Sequence, residues 1–278
     1  MQPSVTRRPI ANVGIGLRHP HLSHIIANKP NIPWLEILTD NFLVAGGIGL
    51  YHLEKICQHY PVTFHCVGMS LGSTDVLNLN YLTKIKKLAH RFQPTFISDH
   101  LCWISHNHYY LHELIPLPYT QEAVNHVAHR IRQVQDFLGQ QILIENVSNY
   151  LSYKQNEMSE WEFVNAVAVA ADCFILLDIN NIVVSAYNHG FAADTYLQAI
   201  NPHRVKQFHL AGYQDFGGYY LDSHGCPVHD DVWRLYQAAL QQFGNVPTLI
   251  EWDSNIPQYA VLAAEAAKAQ RMMDELKQ

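Results

Sequence analysis

Histidine is the residue type from which the chemistry of this chain can be read. The sequence carries 18 His, as many as its Lys and Arg together. Imidazole is the commonest metal ligand, and His is the one side chain whose unperturbed pKa lies near neutrality. Several histidines fall in short polar groups that also hold carboxylates. These groups are His65, Ser98-Asp99-His100, Glu145-Asn146, Asp178-Ile179-Asn180-Asn181 followed by His189, His209, Asp222-Ser223-His224 and Glu251-Trp252-Asp253. Glu36 and Asp40-Asn41 precede them. Taken singly, each has an ordinary explanation. A lone His on an apolar strand is usually a hydrogen-bonded core residue, an Asp before a helix is usually its N-cap, and paired Asn shapes turns. Together they are harder to explain that way. Burying six or more ionisable groups in one place costs several kcal/mol each unless they are paired or metal-bound, and a cluster of cations offsets that cost.

The donor types constrain the cation. His with carboxylate, and no nearby thiolate pair, suits Fe, Mn or Zn better than a structural Cys site. Asp222 and His224, two apart in an extended loop, can chelate one ion. Glu145, Asp178, His209 and Glu251, if they come from successive strands of one barrel, form a mixed shell with room for an exogenous ligand. Further donors remain once that shell is filled, so more than one metal is expected.

The elements that must position these groups repeat one pattern. Strand-like runs are read at 12–18, 34–40, 61–67, 95–102, 141–147, 174–180, 205–211 and 247–253. Amphipathic helices lie between them, most clearly at 120–138, 159–171, 230–243 and 257–276. In the first of these, Val124, Val127, Ala128, Ile131 and Val134 recur at helical spacing, behind Thr120 and with Glu122 in the opening turn. Ser159 and Glu162 fit a capping box. Near-continuously apolar strands alternating with helices mean a parallel sheet covered by helices. The eightfold count predicts a single (β/α)8 TIM barrel over 1–278. An open doubly wound sheet is less favoured, because no glycine-rich dinucleotide turn follows the first strand. The stretch 103–118 is long for a βα loop and suggests a hairpin excursion over the barrel mouth. In a barrel the chemistry sits at the C-terminal ends of the strands, which is where the polar groups fall.

Composition narrows the function classes. At 48% hydrophobic and 15% charged, the 278 residues can build a sizeable core. The net charge of −6 and the lack of a basic run disfavour a nucleic-acid or anionic-membrane partner. The five Cys are odd in number and form no CxxC. They read as reduced, mostly buried thiols of a cytoplasmic protein. The start MQPSVTRRPIANVG has no apolar h-region, so no signal peptide is expected, and no stretch reaches the length of a membrane span.

The same residues carry a family resemblance. FHCVGMSLG (64–72), SDHLCW (98–103), LIENVSNY (143–150), LLDINNIVVSAYNHG (176–190), QFHLAGY (207–213), DSHGCPVHDDVW (222–233) and IEWDSNIP (250–257) resemble the signature blocks of the DUF692 family, also called UPF0276. GIGLRHPH (14–21) and WLEILTDNF (34–42) fit it too. Its characterised members are multinuclear non-haem iron-dependent oxidative enzymes (MNIO). The resemblance spans essentially the whole chain. It implies a xylose-isomerase-like TIM barrel with two or three iron ions at its mouth. It places His65 and His100 on one iron with Glu145 bridging to the next, Asp178, His209 and Glu251 on the second, and Asn146, His189, Asp222 and His224 on the third. It further implies a mixed-valent Fe(II)/Fe(III) pair that uses O2 to oxidise residues, often Cys, of a ribosomally made precursor peptide. A separate leader-binding partner protein would present that peptide. Asp99 and Asp253 stand beside proposed ligands and are candidates for handling protons, or merely for orienting His100 or capping a helix. Tyr213, Tyr219 and Tyr220 are candidates for lining a peptide groove.

The main rival is another divalent-metal enzyme of the same barrel class, a sugar isomerase or epimerase, or a phosphodiesterase of the endonuclease IV type. Against an isomerase, Lys is sparse and none falls at the end of a proposed strand. Against the endonuclease, the mouth lacks basic clusters. A non-catalytic metal- or peptide-binding protein is the third class.

Overall fold

A computed structural model describes residues 7–107 and 109–276. The ends of the expected 1–278 domain, and His108 within the expected hairpin, lie outside the described residues. Parallel strands close into a barrel: β1 (Val13–Leu17), β2 (Leu35–Leu38), β3 (Val62–His65), β4 (Ile97–His100), β5 (Leu143–Glu145), β6 (Phe174–Asp178), β7 (Val205–Leu210) and β8 (Thr248–Ile250). The barrel is sealed where β1 pairs with β8 on one side and β2 on the other, Val13 opposite Thr248 and Ile15 opposite Leu35. This is the (β/α)8 architecture read from the alternating pattern.

The strands are apolar because both of their faces are covered. β1 and β3 are buried throughout. Outside them pack α1 (Leu22–Asn28), α2 (Ile48–Cys57), α3 (Leu79–Phe92), α4 (Gln121–Leu138), α5 (Glu160–Ala171), α6 (Ile179–His189), α7 (Ala193–Ala199), α8 (Asp230–Phe243) and α9 (Tyr259–Glu275). In α3, Leu82, Ile85, Leu88 and Phe92 form the buried stripe. The Thr120 hydroxyl accepts from the Ala123 amide at 3.1 Å and starts α4. The Ser159 amide donates to Glu162 at 2.8 Å in a capping box at the start of α5.

All eight barrel strands are shorter than the runs read from the sequence. Asp40 lies in a 3-10 turn at Thr39–Phe42, and Glu251 and Asp253 follow the end of β8. Between β4 and α4, Trp103–His106 pairs antiparallel with Tyr109–Ile115. A second, two-residue ribbon, Gln214–Asp215 with Tyr220–Leu221, follows β7. Cys66, Cys102 and Cys173 are buried free thiols. Among the described residues no helix is long and apolar enough to cross a membrane.

Candidate metal centre

The strand ends deliver a buried polar cluster to the barrel axis. His65, His100, Glu145 and Asp178 are the last residues of β3, β4, β5 and β6, His209 is the penultimate residue of β7, and Glu251 follows β8. Their donor atoms form two groups that share Glu145: His65, His100 and Glu145, and Glu145, Asp178, His209 and Glu251. Within each group the atoms lie within 4.8 Å of one another. Glu145 Oε2 is 3.3 Å from His65 Nε2 and 3.4 Å from His100 Nε2, while its Oε1 is 3.4 Å from His209 Nδ1. A third group, His224, Glu251 and Asp253, sits toward solvent. His224 Nε2 is also 2.6 Å from Asp222.

The imidazoles are aimed by partners behind them. His65 Nδ1 meets the Ser98 hydroxyl at 2.8 Å, leaving Nε2 toward Glu145. His209 Nε2 is 2.9 Å from Glu36 Oε1, leaving Nδ1 toward the cluster. Glu36 is itself held by the Thr63 hydroxyl at 2.8 Å and the Gln207 amide at 2.6 Å. A carboxylate behind a His is how proteins fix the tautomer and raise the basicity of a metal ligand. Meanwhile Glu145 Oε2, Asp178 Oδ2 and His209 Nδ1 are buried without a hydrogen-bond partner. Buried polar atoms are rarely left so, and cations held in the two donor groups would satisfy them. The donor set therefore fits metal ions.

The electrostatics agree. Burial pulls the His209 imidazole down, but Glu36, Glu251 and Glu145 outweigh it and hold it well above its ordinary pKa. Burial likewise opposes His100, yet Glu145 and Asp99 leave it raised to about 9. Burial pushes Glu251 up, and His209 and His224 reverse that and hold it well below the usual range. Asp178 is driven well above its ordinary value by burial, with Glu145 and Asp222 adding to it against His224. The surrounding carboxylates thus favour protons on His100 and His209, where metal ions would displace them.

Some expected site residues stand elsewhere. Both amide atoms of Asn146 are engaged by the backbone of Asp178, at 3.0 and 2.8 Å. His189 is exposed at the end of α6, and its Nε2 meets the Asn149 carbonyl at 3.1 Å. The helix carries it about 15 Å along its axis from Ile179, away from the buried groups. Asn180 comes closer. Its Nδ2 donates to Asp222 at 2.9 Å, and its Oδ1 is buried and unpartnered. Asp99 accepts from the amides of Met69 at 2.9 Å and His100 at 2.7 Å, so it braces the turn after β3. Asp253, its side chain 41% exposed, pairs with Arg18, which also reaches Glu251 at 3.2 Å. Tyr213 and Tyr220 stack on each other at 4.1 Å, between Tyr187 and His229, and Tyr219 stacks on Phe216 at 5.1 Å. The tyrosines that line the mouth are instead Tyr81, Tyr110 and Tyr150.

Glu36, Ser98 and Asn180 stand among the polar groups of the sequence but not among the ligands or proton-handling candidates expected there, and Arg18 stands in neither set. Glu36 and Arg18 had a visible signal, as charged residues inside otherwise apolar strand segments. The loop carrying Asp222 and His224 is laid close over the end of β7. A Cβ on Gly212 would come 2.4 Å from the Cys226 carbonyl oxygen and 2.5 Å from that of Pro227. The mouth opens into a cavity of about 640 Å³ whose wall includes Asp40, Ser148 and Asp222.

Comparison with known proteins follows the same line. A family model described as RiPP precursor modification enzyme MbnB/TglH/ChrH matches residues 12–274. A UPF0276 protein of Acaryochloris marina is 54% identical over 265 residues, covering 95% of this chain and 96% of its own. One of Vibrio parahaemolyticus is 41% identical over 268 residues, covering 95% and 93%. Among solved structures, a D-allulose 3-epimerase from Methylomonas sp. in complex with D-allulose aligns with a TM-score of 0.59 at 16% identity, covering 99% of each chain. Endonuclease IV from Thermus thermophilus aligns at 0.60 with 11% identity, covering 95% and 99%. These two likenesses show the fold, a (β/α)8 TIM barrel.

Proposed function

This chain belongs to the MbnB/TglH/ChrH family of RiPP precursor modification enzymes, and on that premise we propose that it is an iron-dependent, O2-using oxidase that modifies residues, Cys foremost, of a ribosomally made precursor peptide. The observation that carries the reading is Glu145, whose two oxygens face two separate buried groups of donors. A carboxylate so placed would help to hold a metal ion in each group. Iron held there supplies redox chemistry with O2 and lowers the pKa of a coordinating substrate thiol.

The protein's own groups then have distinct tasks. His65 and His100 flank one position with Glu145, and Asp178, His209 and Glu251 flank the other. Asp222 and His224 supply a third position nearer solvent, with Asn180 beside them. Ser98 and Glu36 hold the imidazoles in the tautomer that offers a lone pair to the cluster. Arg18 neutralises Glu251 and Asp253. Asp253, partly exposed at the mouth, is the carboxylate placed to accept a proton from a bound substrate, while Asp99 supports the turn that walls it. A leader-binding protein would present the precursor. We place the enzyme in the cytoplasm, a reading supported by its free, mostly buried thiols.

Elemental mass spectrometry on wild type and Glu145→Ala, purified without chelator, tests the proposal. Two to three irons per wild-type chain, falling below one in a folded variant, is the expected result. Full metal content in Glu145→Ala refutes that role of Glu145, and zinc or manganese without iron moves the enzyme to hydrolase or isomerase chemistry.

A further inference from the structure

The hairpin after β4 has one feature that the metal centre does not use. The strand Tyr109–Ile115 pairs only with the shorter Trp103–His106, and no other described strand joins it. Residues Tyr109–Glu113 are exposed. Five consecutive residues, Tyr110 to Leu114, line the 640 Å³ cavity, whereas Ile104 alone does so from the partner strand. Successive side chains of a strand point to opposite faces. A cavity that touches five in a row therefore borders the strand's edge, where unpaired amides and carbonyls lie. The lining also includes Ser148, Tyr150 and Asp222, the last of which approaches His224 of the third donor group. The free edge thus runs along the approach to the candidate metals.

The charge of the cavity is one-sided. Among the described residues, Asp40, Glu113 and Asp222 line it, His112 is the one imidazole, and neither Lys nor Arg does so. We infer that the substrate peptide docks as an added β-strand along Tyr110–Leu114, and that the docked segment carries a basic residue. Main-chain pairing supplies the affinity, and the pockets beside alternate side chains supply the selection. About five residues, or roughly 16 Å of extended chain, fit this edge. The inference rests on the peptide-modifying reading of the site and adds to it the mode of docking and the charge of the docked segment.

The test needs neither metal nor turnover. Metal-free protein is panned against displayed random ten-residue peptides, and an enriched peptide is titrated while amide exchange is followed by NMR. Enriched sequences should be rich in Lys and Arg, and binding should slow exchange at alternate amides within Tyr110–Leu114. Glu113→Lys should weaken the enriched peptide by about three- to fivefold, the effect of one exposed charge pair. Glu122→Lys, on the far side of the hairpin, should leave it unchanged. Acidic or unbiased enrichment, no binder at all, or protection confined to other segments overturns the inference. So does a strand edge that protects only when a second folded protein is added. Because iron plays no part, failure here leaves the metal reading standing, and an iron-free wild type would remove that reading without touching these data.

Discussion

Glu36→Gln isolates the groups behind the metal ligands from the ligands themselves. Glu36 touches no proposed metal position, yet its Oε1 lies 2.9 Å from His209 Nε2. Its Oε2 takes a hydroxyl from Thr63 at 2.8 Å and an amide from Gln207 at 2.6 Å. A glutamine keeps the volume but turns one acceptor into a donor. If the new NH2 faces His209, the ring must carry its proton on Nδ1, the atom that a metal needs. If it faces Thr63 and Gln207, three donors meet and a buried group is left unsatisfied. A hydrogen bond to a charged group contributes about 1.5–3 kcal/mol against about 1 for a neutral one. The difference, about 0.5–2 kcal/mol, overlaps the 10–100-fold loss of affinity, about 1.4–2.8 kcal/mol, found when groups behind metal-ligating histidines are changed. The assay is a competitive chelator titration with Fe(II) under anaerobic conditions, repeated with Zn(II) as a redox-inert probe, with thermal unfolding of the empty variant as control. A folded Glu36→Gln that binds both ions within about twofold of wild type refutes the claim that Glu36 sets the ligand state of His209.

Other perturbations follow from the same geometry. His100 is raised from 6.5 to about 9, burial opposing and Glu145 and Asp99 prevailing. Its stabilisation of the metal-free protein is therefore full below pH 6.5 and is lost as pH rises through about 9, on the order of 3 kcal/mol. Denaturant titrations across that window should show the fall, and metal affinity should rise over the same range; a flat stability profile would contradict it. Glu160 is buried against Tyr119, Tyr196 and Asn149, and burial raises it from 4.5 to about 7 despite those hydrogen bonds. Its contribution is present below pH 4.5 and lost as pH rises through about 7, so Glu160→Gln should flatten the stability profile between these values; an unchanged slope assigns the dependence to other groups. Gly212→Ala drives a Cβ into two carbonyl oxygens. A loss of about 1–3 kcal/mol in denaturant unfolding is expected, with weaker metal binding at the Asp222–His224 loop; wild-type stability would mean that the loop yields freely.

The barrel was legible because its signal is repeated. Each strand is a short run buried on both faces, each helix has an apolar stripe, and errors at one element do not propagate to the next. The inner donors were legible because strand register carries them: His65, His100, Glu145 and Asp178 each end a strand, so one rule places all four. His189 shows where that rule stops. It follows Asp178 by 11 positions, but those positions are a straight helix, and a helix moves its far end away from the barrel axis. Asn146 shows a different limit, since its amide completes a backbone pairing between β5 and β6 that no one-dimensional pattern reveals. Glu36 and Arg18 were visible as charges in apolar runs, yet what they do depends on His209 and Asp253, which lie 173 and 235 residues away in sequence. The tyrosines after β7 stack on neighbouring rings, Tyr213 on Tyr220 and Tyr219 on Phe216, and such pairing depends on loop paths that a linear pattern does not carry.

The two oxygens of Asp178 serve different structures. Oδ1 accepts from the Asn181 amide at 2.6 Å and starts α6, while Oδ2 faces the donor cluster. At the other end of that 11-residue helix, Asn188 accepts from the Tyr220 amide at 2.8 Å and donates to its carbonyl at 2.9 Å. Tyr220 belongs to the ribbon that leads into Asp222. The helix is thus a strut fixed at one end to the charge state of the cluster and at the other to the loop that completes it. A proton or an ion taken up at Asp178 would act on the residue that starts α6, and the helix, about 16 Å long, links that residue to the ribbon leading into Asp222.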